Sequence, residues 1–232
     1  MLKKMKTIVL LHGAMGSEMQ LQSLRKQLEG DYSVHSFNFS GHGGKPFSKE
    51  FSMPSFASEL VAFCEAHQLK EVHLFGYSMG GYVALYLARH HPHLISSVVT
   101  LGTKLIWDNA IAAKEVAMMQ PEIIEQKVPA FAQGLQQLHS PNDWKDLMTK
   151  TGKMLTEMGD QNPLQIEDYQ YITVPVLLML GDRDKMVSLD ETVTAFKHLP
   201  NSQLAVLSAT PHPIEKVDVE ILGFHINKFI EK

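Results

Sequence analysis

Gly76-Tyr77-Ser78-Met79-Gly80-Gly81 lies between a short apolar run, Val72 to Phe75, and a helix-like stretch, Tyr82 to His91. A serine on a sharp strand-to-helix turn takes strained backbone angles, and only small neighbours let helix and strand come that close. Gly76 and Gly80 supply the space, and Gly81 adds room. The turn is expected to push the Ser78 hydroxyl out at the carboxyl edge of a sheet and the amino end of a helix. Such a serine is a candidate nucleophile.

A serine hydroxyl attacks poorly at neutral pH unless a base takes its proton, usually a histidine whose tautomer a carboxylate fixes. Base and acid should therefore sit in loops after other strands, on the edge that carries Ser78. Two loops qualify: Leu180-Gly181-Asp182-Arg183-Asp184-Lys185-Met186-Val187 and Ala209-Thr210-Pro211-His212-Pro213. Of twelve histidines, His212 alone occupies such a loop after the last strand and is the expected base. His90, His91 and His93 end a helix, where cations suit the dipole. His73 reads as a satisfied core residue, and His139 falls in a helical stretch. His42, in a glycine-rich loop near the mouth, is placed to touch substrate. Two carboxylates compete for the acid. Asp182 follows the turn glycine, a position that commonly bonds back to its own loop. Asp184 lies further along and is preferred. After Leu101, Gly102-Thr103-Lys104 offers no carboxylate.

Acyl transfer also needs donors for the developing oxyanion, each worth roughly 3 kcal/mol of barrier lowering. The Met79 amide at the helix start is one candidate. The Ala14 amide, in the glycine-rich stretch Leu11-His12-Gly13-Ala14-Met15-Gly16, is the other.

The elements that position these groups alternate. Thr7 to Leu11, Tyr32 to Phe39, Val72 to Phe75, Ser97 to Leu101, Val176 to Leu180 and Gln203 to Leu207 read as strands. Glu18 to Leu28, Phe56 to His67, Tyr82 to His91 and Ile214 to Ile230 read as helices, and Ser188-Leu189-Asp190-Glu191 as a capping-box start. Short apolar runs alternating with helices indicate a parallel sheet covered on both faces. From Thr103 to about Tyr171 no strand pattern appears, only helical pieces broken by prolines. The reading is one α/β domain, residues 1–102 and 173–232, with residues 103–172 as an all-helical insertion on the same sheet edge.

With 232 residues, 44% of them hydrophobic and 20% charged, the chain is sized and composed for one core-forming domain. A net charge of −4 argues against nucleic acid or anionic membrane as main partner. Its one cysteine, Cys64, permits no internal disulfide and is expected to be buried on a helix. The start, Met1-Leu2-Lys3-Lys4-Met5-Lys6, resembles the charged head of a signal peptide, but the apolar run behind it is too short. No stretch approaches the roughly 20 apolar residues that span a bilayer, and the expected location is cytoplasmic. Neither a metal nor a cofactor is expected.

Taken together these residues resemble the α/β-hydrolase superfamily over nearly the whole chain. His12-Gly13 matches its oxyanion loop, Ser40-Gly41-His42-Gly43 the glycine loop after the second core strand, and Gly76 to Gly80 the nucleophile elbow. Gly181-Asp182-Arg183-Asp184 matches the acid loop, whose second aspartate is usually catalytic, and His212 the base; the order Ser, Asp, His agrees. Asn38 stands where many relatives carry aspartate. The resemblance implies the α/β-hydrolase fold, with residues 103–172 as a helical lid over the substrate pocket. It further implies a Ser78-His212-Asp184 triad with Ala14 and Met79 amides as oxyanion donors, acting on a small-molecule carboxylic ester. Relatives on the same triad also cleave carbon–carbon bonds, eliminate pyruvate as the menaquinone-pathway synthase does, or show cofactor-free haloperoxidase activity; others bind ligands with vestigial catalysis. Of the lid's large apolar residues (Trp107, Met118, Met119, Phe131, Leu135, Trp144, Met148, Met154 and Met158), most are expected to pack the lid helices together, the rest to favour a small apolar group.

Overall fold

Parallel pairing sets the architecture in the computed structural model, which describes residues 5–231. Six strands, β1 (Lys6–Leu11), β2 (Tyr32–Ser36), β3 (Val72–Tyr77), β4 (Ile95–Leu101), β5 (Val176–Gly181) and β6 (Ser202–Leu207), form one sheet in the order β2-β1-β3-β4-β5-β6, every neighbouring pair parallel. Met1 to Lys4, read above as part of a charged head, lie outside the described residues.

Side chains alternate between the sheet's two faces, as strand geometry requires. Ile8, Leu10, Phe75, Val99 and Leu177 point to one core, under α1 (Gln22–Leu28) and α9 (Val219–Ile230). Val9, Leu11, Leu74, Val98 and Leu178 point to the other, under α2 (Met53–Ala66), α3 (Met79–His90) and α8 (Leu189–His198). Burial on both faces explains why the strands read as continuous apolar runs. Cys64 is buried on α2.

Between β4 and β5 the chain forms α4 (Asn109–Ala117), α5 (Pro121–Lys127), α6 (Pro129–His139) and α7 (Trp144–Asp160), then a 3-10 turn, Ile166–Tyr171. Prolines sit at the first turns of α5 and α6, where a missing N–H costs nothing. Leu135, Trp144 and Met148 pack on one another, while Met118 and Phe131 are exposed.

Of the elements whose bounds differ from the sequence expectation, two change their course rather than only their length. β2 stops at Ser36, where its register against Leu10 runs out. Phe37 and Phe39 then both turn into the core, and the Asn38 side chain between them accepts from the Glu18 amide. The last helix is split: a 3-10 turn, Ile214–Lys216, precedes α9, which Asp218 caps by accepting from the Glu220 and Ile221 amides. The Ser188–Glu191 capping box forms in both directions. Among the described residues no helix is long and apolar enough to cross a membrane.

Candidate active site

From β1 the chain moves to one side of the sheet, to β2, and from β2 it crosses back to β3 on the other side. The carboxyl ends of β1 and β3 thus flank a topological switch point, where crevices open in such sheets. Ser78 follows β3 there, at φ +50°, ψ −117°, a conformation costing of order 1–3 kcal/mol for a non-glycine residue. Three neighbours hold it. The Ser78 amide donates to Leu101 O at 2.9 Å, the Thr103 hydroxyl donates to Ser78 O at 3.1 Å, and α3 begins at the next residue. The close approach leaves no room for side chains. A Cβ on Gly76 would strike the Gly80 carbonyl and Gly81 backbone, and one on Gly80 would strike the Leu11 carbonyl.

The loops after β5 and β6 bring Asp184 and His212 together. His212 Nδ1 lies 2.7 Å from Asp184 Oδ2, and both side chains are largely shielded. Asp184 Oδ1 accepts from the Met186 and Val187 amides at 2.8 and 2.9 Å. Burial alone would raise its pKa. The bond to His212 and the two amides outweigh that and hold the carboxyl below the usual aspartate range. The exposed Asp182 instead accepts from the Thr210 amide at 3.1 Å, tying the two loops to each other. The Tyr77 hydroxyl donates to the His212 carbonyl at 3.1 Å and steadies the loop. Gly102, at the end of β4, lies against the pair: a Cβ there would stand 3.2 Å from both Asp184 Oδ2 and His212 Nδ1.

Ser78, Met79, Ala14 and His212 all line one cavity of about 80 Å³. Among the described residues no hydrogen bond joins the Ser78 hydroxyl to the His212 ring. Catalytic hydrogen bonds commonly tighten only around substrate. The loop carrying Ala14 packs directly on the serine, since a Cβ on Gly13 would stand 3.3 Å from Ser78 Cβ. Trp107, Met119 and Met154 from the helical segment, with Met53 and Met186, give the cavity apolar walls.

His42 does not line this cavity, contrary to the sequence expectation. Gly41 and Gly43 take positive φ (+80° and +56°), and the turn folds the ring inward until it is fully buried. It lies 5.0 Å from the His12 ring and 6.0 Å from the His139 ring, centroid to centroid. His12 accepts the Phe39 amide on Nε2 at 3.1 Å, so its proton is on Nδ1, which donates to Gly13 O at 2.8 Å. Burial drives the His12 pKa down to about 4, keeping the ring neutral. No local motif announces this cluster, because its members lie 30 and 97 residues apart along the chain.

The model of the alpha/beta hydrolase fold family matches residues 6–159. A pimeloyl-[acyl-carrier protein] methyl ester esterase of Neisseria meningitidis is 26% identical over 227 residues, covering 89% of this chain and 86% of that protein. The protein of the same name from Vibrio atlanticus is 24% identical over 250 residues, covering 97% and 94%. Among solved structures, MenH from S. aureus superposes with a TM-score of 0.76 at 21% identity over 97% of this chain and 93% of that one. The chain belongs to the alpha/beta hydrolase fold family and is a hydrolase of its esterase-like kind.

Proposed function

We propose that this hydrolase is a serine esterase for small, uncharged, fairly apolar carboxylic esters, working through Ser78, His212 and Asp184. The observation that carries the reading is His212, paired with Asp184 at 2.7 Å and lining the same cavity as a serine held at φ +50°. With Nδ1 committed to Asp184, Nε2 is the nitrogen free to take the Ser78 proton. Ser78 Oγ attacks the ester carbonyl as that proton moves to His212. Asp184 holds the ring and stabilises the imidazolium, and the Ala14 and Met79 amides receive the oxyanion. The tetrahedral adduct collapses, its alkoxide leaving with the proton from His212. Water, activated by the same imidazole, then releases the acid and restores Ser78. The helices between β4 and β5 serve as the lid, supplying the apolar wall that excludes bulk water.

Charge at the wall favours a neutral substrate. Apart from His212, the charged side chains lining the cavity are Lys104 and Glu115. The Lys104 ammonium donates to Met186 O at 2.6 Å and pairs with Glu115 at 3.5 Å and Glu191 at 3.7 Å. Two carboxylates thus face one ammonium, and among the described residues lining the cavity no unpaired lysine or arginine remains to meet a substrate carboxylate. That favours a methyl ester, the bond named for the Neisseria and Vibrio relatives, over a substrate with a free carboxylate at the wall. Comparing methyl butanoate with monomethyl glutarate tests this. The neutral ester should have at least a tenfold higher kcat/KM, and equal or reversed preference would overturn the substrate assignment.

A further inference from the structure

His139, at the end of α6, reaches out of the helical segment and touches two loops of the sheet domain. Its fully buried ring accepts the Gly43 amide on Nδ1 at 3.0 Å. Nε2 therefore carries the proton and donates to the Met15 carbonyl at 3.1 Å. Three residues on, the Asn142 side chain donates to the Gly41 and Lys45 carbonyls at 3.2 and 2.7 Å. One corner of the helical segment is thus bolted to the glycine loop and to the loop after β1.

The segment Gly13–Gly16 is a turn closed by the Gly16 amide on Gly13 O at 3.2 Å, with Met15 at φ +56° in its third position. A methionine resists that conformation, so something must hold it. On one side of Ala14, His12 fixes the Gly13 carbonyl, and the planar peptide carries that constraint to the Ala14 N–H. On the other side, His139 fixes the Met15 carbonyl. Between the two rings stands the His42 ring, whose Nε2 has no partner among the described residues and so adds packing without competing for either bond.

We propose that His139 is a positioning residue for oxyanion stabilisation, clamping the Ala14 amide in place from the helical segment. This rests on the esterase reading, in which that amide is an oxyanion donor. Seating of the segment and assembly of the oxyanion site are then one event: the helices complete the catalytic machinery as well as covering it. Removing an oxyanion donor outright costs about 100- to 1000-fold in kcat, so loosening one should cost less, about 10- to 100-fold.

The test compares wild type, His139→Phe and His139→Gln on p-nitrophenyl butanoate, at a temperature well below each variant's melting transition. Phenylalanine keeps a ring but offers neither bond, whereas glutamine can both donate and accept. The expected result is a kcat loss of about 10- to 100-fold for His139→Phe with KM within twofold, and recovery of most of kcat in His139→Gln. Should His139→Phe fail to fold, Asn142→Ala, which unbolts the same corner, is expected to show the same kcat-selected loss. Unchanged kcat in a folded variant, or a rise in KM alone, would overturn the clamp while leaving the esterase reading intact. A wild type without ester turnover would remove both.

Discussion

Replacing Asp184 by asparagine changes one atom, and its consequence follows from the bonds around the carboxylate. Oδ1 receives two amide protons, from Met186 and Val187. An asparagine must keep its carbonyl oxygen there, because an NH₂ would face two donors. Its NH₂ is then forced onto His212 Nδ1, where Asp184 Oδ2 now sits at 2.7 Å. A donor at that point moves the imidazole proton to Nε2, and Nε2 can no longer take a proton from Ser78. The fold survives, yet the base has the wrong tautomer. Such an inversion costs about ten-thousand-fold in kcat, about 5 kcal/mol of barrier. Asp182→Asn is the matched control. Its carboxylate accepts a single amide, from Thr210, which an asparagine oxygen can accept equally well, so kcat should stay within about twofold. Stopped-flow release of p-nitrophenol separates acylation from deacylation, and both steps should slow in Asp184→Asn. Equal losses in the two variants, or a greater loss in Asp182→Asn, would refute the assignment of the acid.

Three further outcomes are expected. The folded His12 pKa of about 4 lies below the ordinary 6.5, so between those values the unfolded chain binds a proton that the native one does not. Stability must therefore fall as the pH drops from 6.5 to 4, by about 3 kcal/mol from this residue; urea titrations should show it, and His12→Gln should make that slope shallower, the buried His42 and the partly buried His73 keeping the remainder. Asp184 acts lower: its depressed pKa contributes stability above the usual carboxylate range that is lost as the pH falls through the folded value. Calorimetry should show Asp184→Asn losing less stability than wild type as the pH is lowered below about 4. Met154 and Met53 line both the inner cavity and an outer groove bounded by Glu157, Gln161 and Asp168. Met154→Ala should join the two and raise kcat/KM for p-nitrophenyl octanoate relative to the butanoate about tenfold, since burying about two further methylenes at about 0.8 kcal/mol each gives about 1.6 kcal/mol; an unchanged chain-length ratio would show that the boundary lies elsewhere.

The sequence was informative where chemistry is written locally. Gly76 to Gly81 combines a strand end, a helix start and small residues in six positions, so the turn around Ser78 could be read without knowing the sheet order. Strand-end logic likewise picked out the loops of Asp184 and His212, because parallel strands deliver their carboxyl ends to one edge. The alternation of apolar faces made the α/β architecture legible in the same way. His42 shows where this reasoning stops. Glycine loops near a sheet edge suggest a mouth, but the positive φ values at Gly41 and Gly43 turn the ring into the core. The bonds of His139 to Met15 and Gly43 span 124 and 96 residues, and only the docking of α6 brings those groups together. Phe37 to Phe39 read as strand in the sequence because their apolar pattern is the same whether a segment pairs with β1 or folds over α2, as Phe37 and Phe39 do onto Phe63 and Phe56.

The most direct test of the account is the site of covalent attachment of an alkyl fluorophosphonate, read by peptide mass spectrometry. A single adduct on the Ser78 peptide is predicted, absent in Ser78→Ala and formed at least a hundredfold more slowly in His212→Ala. No adduct on active wild-type protein, or one on a different residue, would contradict the claim that Ser78 is the nucleophile.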